Sequence, residues 1–210
     1  MTLVYDAQTQ DLIDSYDFTS YNIWNSNGKE IAHLRKVLRE HFLPLLKFRC
    51  CYCQQRKTER HGMTWDIEHI APKSIYPQFL FDLNNLAISC KECNIAKGEK
   101  DPFTTKVKMS YPDSGEAFSI IHPHYDTYSD HIEIVRSGEQ QTYRVKNAYK
   151  GKNTYMMCDL IRFDYAYAEW ESFGDTLTQS LLESIDSLGA DATSNEIKRA
   201  IPLAVKVATH

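Results

Sequence analysis

The sequence has no long apolar run, no internal repeat and no low-complexity segment. The first absence excludes a membrane-spanning helix, which needs about 18 or more consecutive apolar residues. The N-terminal segment, MTLVYDAQTQDLIDSYDF, also lacks the basic stretch followed by an apolar stretch that is typical of a signal peptide. We therefore expect a protein of the cytoplasm with no membrane partner.

Cysteine is scarce outside one short segment. Of the six cysteines in 210 residues, five lie between Cys50 and Cys93, and the sixth is Cys158. In a reducing cytoplasm this crowding indicates metal binding rather than disulfide bonds. Cys158 stands alone in an apolar stretch, so we predict that it is a buried small side chain.

The sequence also lacks an excess of positive charge. It has 24 Lys and Arg and 28 Asp and Glu, which gives a net charge of −4. This balance argues against a general nucleic-acid binder. Residues 47–108, however, hold eleven Lys or Arg against seven Asp or Glu. A locally basic segment can still bind phosphate, weakly and with strong salt dependence. A random fluctuation in charge is the alternative.

The composition is that of a globular chain, with 42% apolar and 25% charged residues. We predict three parts, an N-terminal helical extension, a motif region and a C-terminal extension: 1–46, 47–104 and 105–210. Residues 1–28 are predicted to be irregular. A helix is predicted over 29–41, ended or kinked by Pro44. Its apolar stripe would be Ile31, Leu34, Leu38 and Phe42.

The motif region is predicted to contain two short strands and a helix. The strands cover 65–70 and 86–89, and the helix runs over 90–96. Ser89 is a candidate cap for this helix, and Gly98 would end it. Together with the N-terminal helix, these elements predict an α+β fold.

The C-terminal extension is predicted to be mostly helical support. Two strands, in HIEIV and YRVK, flank a turn at RSGEQQ. Helices are predicted over 154–172, 176–188 and 194–207, the last interrupted by Pro202.

Two C-x-x-C units bracket the strands of the motif region. Cys50 and Cys53 form the first pair, and Cys90 and Cys93 form the second. Two such pairs present four thiolates to one ion, the usual arrangement of a structural Zn²⁺ site. Cys51 is an alternative to Cys50, although its spacing to Cys53 suits a chelating turn less well.

An acidic and histidine-bearing segment lies between the cysteine pairs. Asp66 and Glu68 would point to the same side of a strand, with His69 next in the chain. Asn94 would share a helix face with the second cysteine pair. Oxygens of Glu68 and Asn94 suit Mg²⁺ or Mn²⁺, and a neutral His69 could take a proton from water. These are the parts of a phosphodiester hydrolase.

Three segments, DIEHIAPKS, NNLAIS and CKECNIAKGEKD, resemble in order and spacing the HNH or ββα-metal endonucleases. The resemblance is to the branch with a four-Cys zinc clamp, of the endonuclease VII type. It implies a small zinc-stabilised ββα-metal core, to which the periodicity adds an N-terminal helix and a mostly helical C-terminal extension. It also implies His69 as general base, Glu68 and Asn94 as ligands of Mg²⁺ or Mn²⁺, and Asn85 as the asparagine that orients the loop and the histidine.

Two positions depart from the common family pattern. Glu68 stands where aspartate is common, which leaves open ligation of the metal through a water. Asn94 stands where many members have histidine. Asp66 occupies a position where some members carry a further acidic ligand, and an ion pair with a basic side chain is its alternative.

Four lysines of the motif region are candidate nucleic-acid contacts: Lys73, Lys91, Lys97 and Lys100. Farther along, the stretch IHPHYDTYSDHIEIV offers a possible second metal site, although an ordered turn is the favoured interpretation. The same stretch resembles a segment of stand-alone HNH subunits from bacterial defence systems of the Septu PtuB kind.

The sequence therefore predicts a metal-dependent HNH endonuclease that cleaves DNA and acts in anti-phage defence with a protein partner such as an ATPase. Cleavage of RNA or tRNA is the competing enzymatic hypothesis. A zinc module that scaffolds a complex or binds nucleic acid without cutting it is the non-enzymatic one.

Overall fold

A computed structural model describes residues 3–105, 109–137 and 140–168. Contacts divide the chain into two units, one of Met1–Phe118 with His122–Tyr125, and one of Ser119–Ile121 with Asp126–His210. Helices and short antiparallel sheets confirm the predicted α+β class. Within the described residues, no helix is long and apolar enough to cross a membrane.

The first unit begins with two helices in a segment that we predicted to be irregular. Helix α1 covers Ala7–Asp14 and helix α2 covers Asn22–Asn25. Asp6 caps α1, because its carboxylate accepts a hydrogen bond of 2.8 Å from the backbone N–H of Thr9. The prediction was wrong here because polar residues dominate the segment and obscure its helical periodicity.

Helix α3 covers Lys29–Leu45 and buries the predicted apolar stripe: Ile31, Leu34, Leu38 and Phe42. The helix continues past the predicted end at residue 41 and contains Pro44 in its last turn. It ends at Leu45, one residue beyond the proline.

The motif region forms a ββα unit that matches the predicted elements closely. Strands β1, Trp65–His69, and β2, Leu86–Cys90, pair in antiparallel register, and helix α4 follows over Lys91–Lys97. Two short 3₁₀ turns, Pro77–Phe79 and Leu83–Asn85, lie in the connection between the strands.

The ends of α4 confirm the predicted C-terminal stop, Gly98, and correct the predicted N-cap, Ser89. The N-cap is Cys90 rather than Ser89, because Ser89 is still paired within β2. Gly98 ends the helix with φ 53°, a left-handed conformation that glycine adopts without steric cost.

Helices α3 and α4 both pack against the two strands of the motif region. The N-terminal helix therefore belongs to the same compact unit as the candidate site. The boundaries proposed from the sequence, at 46/47 and 104/105, stay predictions about separate domains.

The second unit contains helix α5, two strands and two further helices. Their bounds are Tyr128–His131 for α5, Ile132–Ser137 for β3, Gln140–Val145 for β4, Lys150–Met157 for α6 and Ile161–Ala168 for α7. The two strands pair antiparallel, in agreement with the predicted hairpin.

The single helix predicted over 154–172 is two helices within the described residues. Asp159 has φ 53°, which interrupts the helical path between α6 and α7. Cys158 is fully buried, as predicted. The helices predicted over 176–188 and 194–207 lie outside the described residues.

A buried carboxyl group in the second unit predicts a pH-dependent stability. Asp164 accepts hydrogen bonds from Thr142 and Tyr155. Burial nevertheless raises its pKa from the ordinary 3.8 to about 7. Between about pH 4 and pH 7 the folded chain then binds more protons than the unfolded chain, so stability falls as the pH rises through this window.

We therefore expect Asp164→Asn, which is neutral at every pH, to reduce the loss of stability across this range. Thermal unfolding midpoints from about pH 4 to pH 8 measure the effect. Asp130→Asn, at an exposed position of the same unit, is the matched control and should follow the parent protein. Equal pH profiles for all three proteins would contradict the prediction.

Candidate active site

Four cysteines gather at one point beneath the ββα unit. The Sγ atoms of Cys50, Cys53, Cys90 and Cys93 all lie within 4.8 Å of one another, and all four residues are buried. The Cys53–Cys90 Sγ distance is 3.9 Å. Tetrahedral Zn²⁺ with bonds of about 2.3 Å separates its sulfur ligands by about 3.8 Å. The donor set and its spacing thus fit a structural zinc ion.

The structure also decides between the two cysteines that precede the first strand. Cys51 is buried but does not belong to the cluster of four sulfurs. Its backbone N–H instead donates to Ile88 O at 3.0 Å, which ties this turn to β2. The tight turn is completed by the N–H of Gln54, which donates to Cys50 O at 3.0 Å.

Crowding of the sulfurs favours a bound cation. Burial, followed by the neighbouring sulfurs of Cys50 and Cys90, raises the pKa of the Cys53 thiol. Four closely packed thiolates would repel one another in this buried place, and a divalent ion offsets that repulsion.

A cavity of about 460 Å³ opens beside the ββα unit. Six of the predicted site residues line it: Asp66, Glu68, His69, Lys73, Asn94 and Lys97. β1 carries the first three, and α4 carries Asn94 immediately after the last clustered cysteine. The cysteine cluster joins α4 and the end of β2 to the turn at Cys50 and Cys53, and β2 in turn pairs with β1.

His69 is a buried, neutral imidazole at this cavity. Its Nε2 lies 3.1 Å from Leu80 O, and a carbonyl only accepts hydrogen bonds, so Nε2 carries the proton and Nδ1 the lone pair. Burial, followed by the charge of Lys73, lowers the pKa of His69 to about 3. The Trp24 ring packs edge-on against the imidazole, with 4.5 Å between centroids.

Asn85 is fully buried and does not line the cavity. Its Oδ1 accepts from the N–H of Ala71 at 2.7 Å, and its Nδ2 donates to the carbonyls of Ala71 and Phe79 at 3.2 and 3.0 Å. These bonds hold the chain that leaves β1 against the turn that follows it. They are the contacts expected of a residue that orients the loop, a role that stays a prediction.

Glu68 is engaged by two partners in the structure. Its Oε1 lies 2.8 Å from Lys97 Nζ and accepts a hydrogen bond of 2.9 Å from the Tyr52 hydroxyl. Burial raises its pKa, whereas Lys97 and Tyr52 oppose that rise. Direct metal ligation by Glu68 would have to compete with Lys97 and stays a prediction.

Asp66 and Asn94 lie side by side at the cavity. Asn94 Nδ2 donates to Asp66 Oδ2 at 2.9 Å, and Lys91 Nζ lies 2.8 Å from Asp66 Oδ1. This orientation leaves Asn94 Oδ1 for a further partner. Within the described residues, the four cysteines are the only group of three or more His, Cys, Asp or Glu with metal-ligand spacing. Ligation of a hard cation by Asp66 and Asn94 stays a prediction, since both Asp66 oxygens already have partners.

The predicted lysine contacts fall into distinct environments. Lys97 is buried in its pair with Glu68, and Lys91 pairs with Asp66. Lys100 is exposed and donates to Ala96 O at 2.9 Å, whereas Lys73 lines the cavity. Their role as phosphate contacts stays a prediction.

Three cavity residues come from outside the motif region and were missed in the sequence: Trp24, Arg35 and Arg39. The two arginines are four residues apart on α3, off its apolar stripe, which places them on one helix face. That spacing was visible in the sequence, but nothing in it indicated that this face borders the motif region.

The histidines of the IHPHY stretch have other partners. His122 Nε2 lies 3.0 Å from the Tyr111 hydroxyl, and His124 Nε2 lies 2.7 Å from Leu86 O. Neither belongs to a metal-ligand group within the described part of the chain. The ordered turn is thus the better interpretation.

The family resemblance inferred from the motifs is confirmed by comparison with known proteins. Residues 50–100 match the family model described as HNH endonuclease. This match covers the cysteine cluster and the cavity residues of β1 and α4.

The chain is also similar to the Septu protein PtuB of Bacillus thuringiensis. The two are 32% identical over 117 residues, which cover 55% of this chain and 38% of the relative. The chain therefore matches less than two-fifths of the length of that relative. No solved structure matches the chain.

Proposed function

We propose that the protein is a metal-dependent HNH endonuclease that hydrolyses phosphodiester bonds of DNA. The observation that carries the proposal is the shared cavity: a neutral histidine and the bonded Asp66 and Asn94 side chains line one space, on the strand and helix of a ββα unit that also carries two of the four clustered cysteines. The match to the HNH endonuclease family supports it.

Each side chain has a chemical role in this proposal. Neutral His69 takes a proton from the attacking water on Nδ1, the nitrogen that keeps its lone pair because Nε2–H is bonded to Leu80 O. Asn94 and Asp66 would hold Mg²⁺ or Mn²⁺. Glu68 would be a further ligand if its ion pair with Lys97 breaks. When bound, such an ion stabilises the charge that develops on the phosphate and the departing oxygen.

A role in anti-phage defence in the cytoplasm is the biological part of the proposal. It is supported by the similarity to the Septu protein PtuB. The net charge of −4 weakens non-specific DNA binding by the isolated chain, which favours dependence on a protein partner such as an ATPase.

Loss of the proposed base tests the function. We expect His69→Ala to lower cleavage of plasmid DNA in Mg²⁺ or Mn²⁺ by about a hundred-fold or more, because water loses its proton acceptor. Initial cleavage rates on a gel measure the change. His33→Ala, at an exposed histidine that pairs with Asp6, is the control and should leave the rate unchanged.

The same assay separates the competing functions. Cleavage of RNA but not of plasmid, lost in His69→Ala, would replace DNA by RNA as the substrate. Binding of nucleic acid without cleavage in either metal, with or without copurifying partners, would support the non-catalytic zinc module and refute the enzyme.

A further inference from the structure

Arg39 of α3 lies where two concave surfaces meet. It lines the 460 Å³ cavity described above. It also lines a second depression, called here the adjoining depression, together with Lys36, Glu40, Arg60 and His61, where Lys36 lies 3.9 Å from Glu40. Gly62 lines both surfaces as well. A chain of phosphates that leaves the cavity past Arg39 would therefore enter a second surface, on which three Lys and Arg residues outnumber the one carboxylate.

The cations of the cavity differ in what they bind. Arg35 donates to the carbonyls of Trp24 and Ser26 at 3.1 and 3.0 Å, and Lys97 pairs with Glu68. Arg39 Nε is buried and makes no hydrogen bond to any described residue. A guanidinium has five N–H donors in a planar fork, so Arg39 retains donors for an external acceptor.

The carboxylates of the cavity already have cationic or amide partners. Asp66 is bonded by Lys91 and Asn94, and its charge acts on Arg39 only at longer range. Glu68 is bonded by Lys97 and Tyr52 in the same way. Glu99, the remaining carboxylate of the lining, belongs to an exposed residue. The groups of the cavity that remain available for a ligand are therefore the N–H donors of a cation, which suit an anionic ligand.

The position of the Arg39 guanidinium is restricted by its surroundings. A Cβ built on Gly62 would lie 2.9 Å from Arg39 Nη2, so the guanidinium rests against Gly62. The helix beneath it is anchored by buried residues such as Leu38 and Phe42 and packs on β1. The backbone at Arg39 is thus held at a defined place relative to the strand that carries His69.

We propose that Arg39 is a phosphodiester-binding residue, which holds the nucleic-acid backbone in the cavity and directs the strand toward the adjoining depression. This inference rests on the proposed function, since it assigns the substrate contact of the same cavity. Planar, two-pronged hydrogen bonding makes arginine well suited to a phosphodiester group. DNA and RNA share this chemistry, so both are tested.

The test measures binding of short fluorescein-labelled duplex DNA and single-stranded RNA by anisotropy at several salt concentrations. All variants are made in the full zinc-loaded chain that also carries His69→Ala, so no substrate is cut. Arg39→Gln should weaken binding and lower the slope of log affinity against log salt by about 0.9 for duplex DNA, or about 0.7 for single-stranded RNA, the value for one lost phosphate contact.

Two companion variants make the test specific. Lys29→Gln removes the same charge from an exposed position of α3 outside both surfaces, and it should leave affinity and slope near those of the parent. Arg39→Lys keeps the charge but loses the planar guanidinium. It should keep the slope of log affinity against log salt while lowering the affinity. Zinc content and unfolding midpoint verify that each variant is folded.

The outcomes separate this inference from the proposed hydrolysis. Equal slopes for Arg39→Gln and Lys29→Gln, or no binding by the parent chain to either probe, would overturn the role of Arg39. A lowered slope for Arg39→Gln alone supports that role even if no cleavage is ever detected. Cleavage that depends on His69, with Arg39→Gln at the parent slope, would leave the enzyme intact and refute the phosphate contact.

Discussion

Cys53→Ala is expected to unfold the motif region, whereas Cys51→Ala is expected to leave it folded. Both cysteines are buried and they are only two residues apart, but Cys53 alone belongs to the four-sulfur cluster. Zinc binding to such sites contributes on the order of 10 kcal/mol in zinc-finger peptides. A typical domain is stable by only about 5–15 kcal/mol, so loss of the ion is comparable with the whole stability.

Zinc content by mass spectrometry and unfolding midpoint by circular dichroism measure this effect. The parent and Cys51→Ala should each bind one ion per chain and unfold at similar temperatures. Cys53→Ala, and the parent after chelation, should lose the ion and the folded ββα unit. Retention of zinc and of the parent midpoint by Cys53→Ala would refute the four-cysteine site.

Lys97→Met is expected to destabilise the protein by about 3–5 kcal/mol, because it leaves the buried Glu68 carboxylate without its cation. The side chains of both residues are only 1% exposed, so water does not replace the lost partner. Lys97 Nζ also donates to His69 O at 3.0 Å. The substitution therefore loosens α4 from the strand that carries the candidate base.

A second variant separates loss of the ion pair from loss of packing. Glu68→Gln combined with Lys97→Met removes both charges and keeps an acceptor for the Tyr52 hydroxyl. We expect it to recover most of the lost stability in denaturant titrations, since no uncompensated charge remains buried. Lys100→Met, an exposed change near the end of the same helix, is the control. Equal destabilisation by the single and double variants would show that the charge pair is not the cause.

Glu68 and Asp66, the two candidate carboxylate ligands, have different surroundings at the cavity. The two carboxylates lie on the same strand, two residues apart, and both line the cavity. Glu68 is buried against Lys97, whereas Asp66 is partly exposed and bonded to Asn94. In the sequence the residue next to the histidine was the stronger metal candidate. Ligation of a hard cation by either carboxylate would have to displace a lysine, Lys97 from Glu68 or Lys91 from Asp66, so both stay predictions.

The sequence by itself determined the local parts of the site. Cysteine spacing predicted two turns that bring four thiols to one point, and the order of the motifs predicted a strand, a second strand and a helix. These predictions succeeded because they depend on residues close together in the chain, where the periods of strand and helix decide which side chains share a face. The choice of Cys50 over Cys51 was the exception, since it depends on how the turn is tied to β2.

Only the tertiary structure decided which distant residues complete the cavity. Arg39 and Trp24 line it from helices that precede the motif region. Lys97 of α4 forms an ion pair with Glu68 of β1. No pattern in the sequence predicts these contacts, because they depend on how helix α3 packs on the two strands. A buried charge, moreover, finds its partner through the geometry of the folded chain rather than through spacing along it.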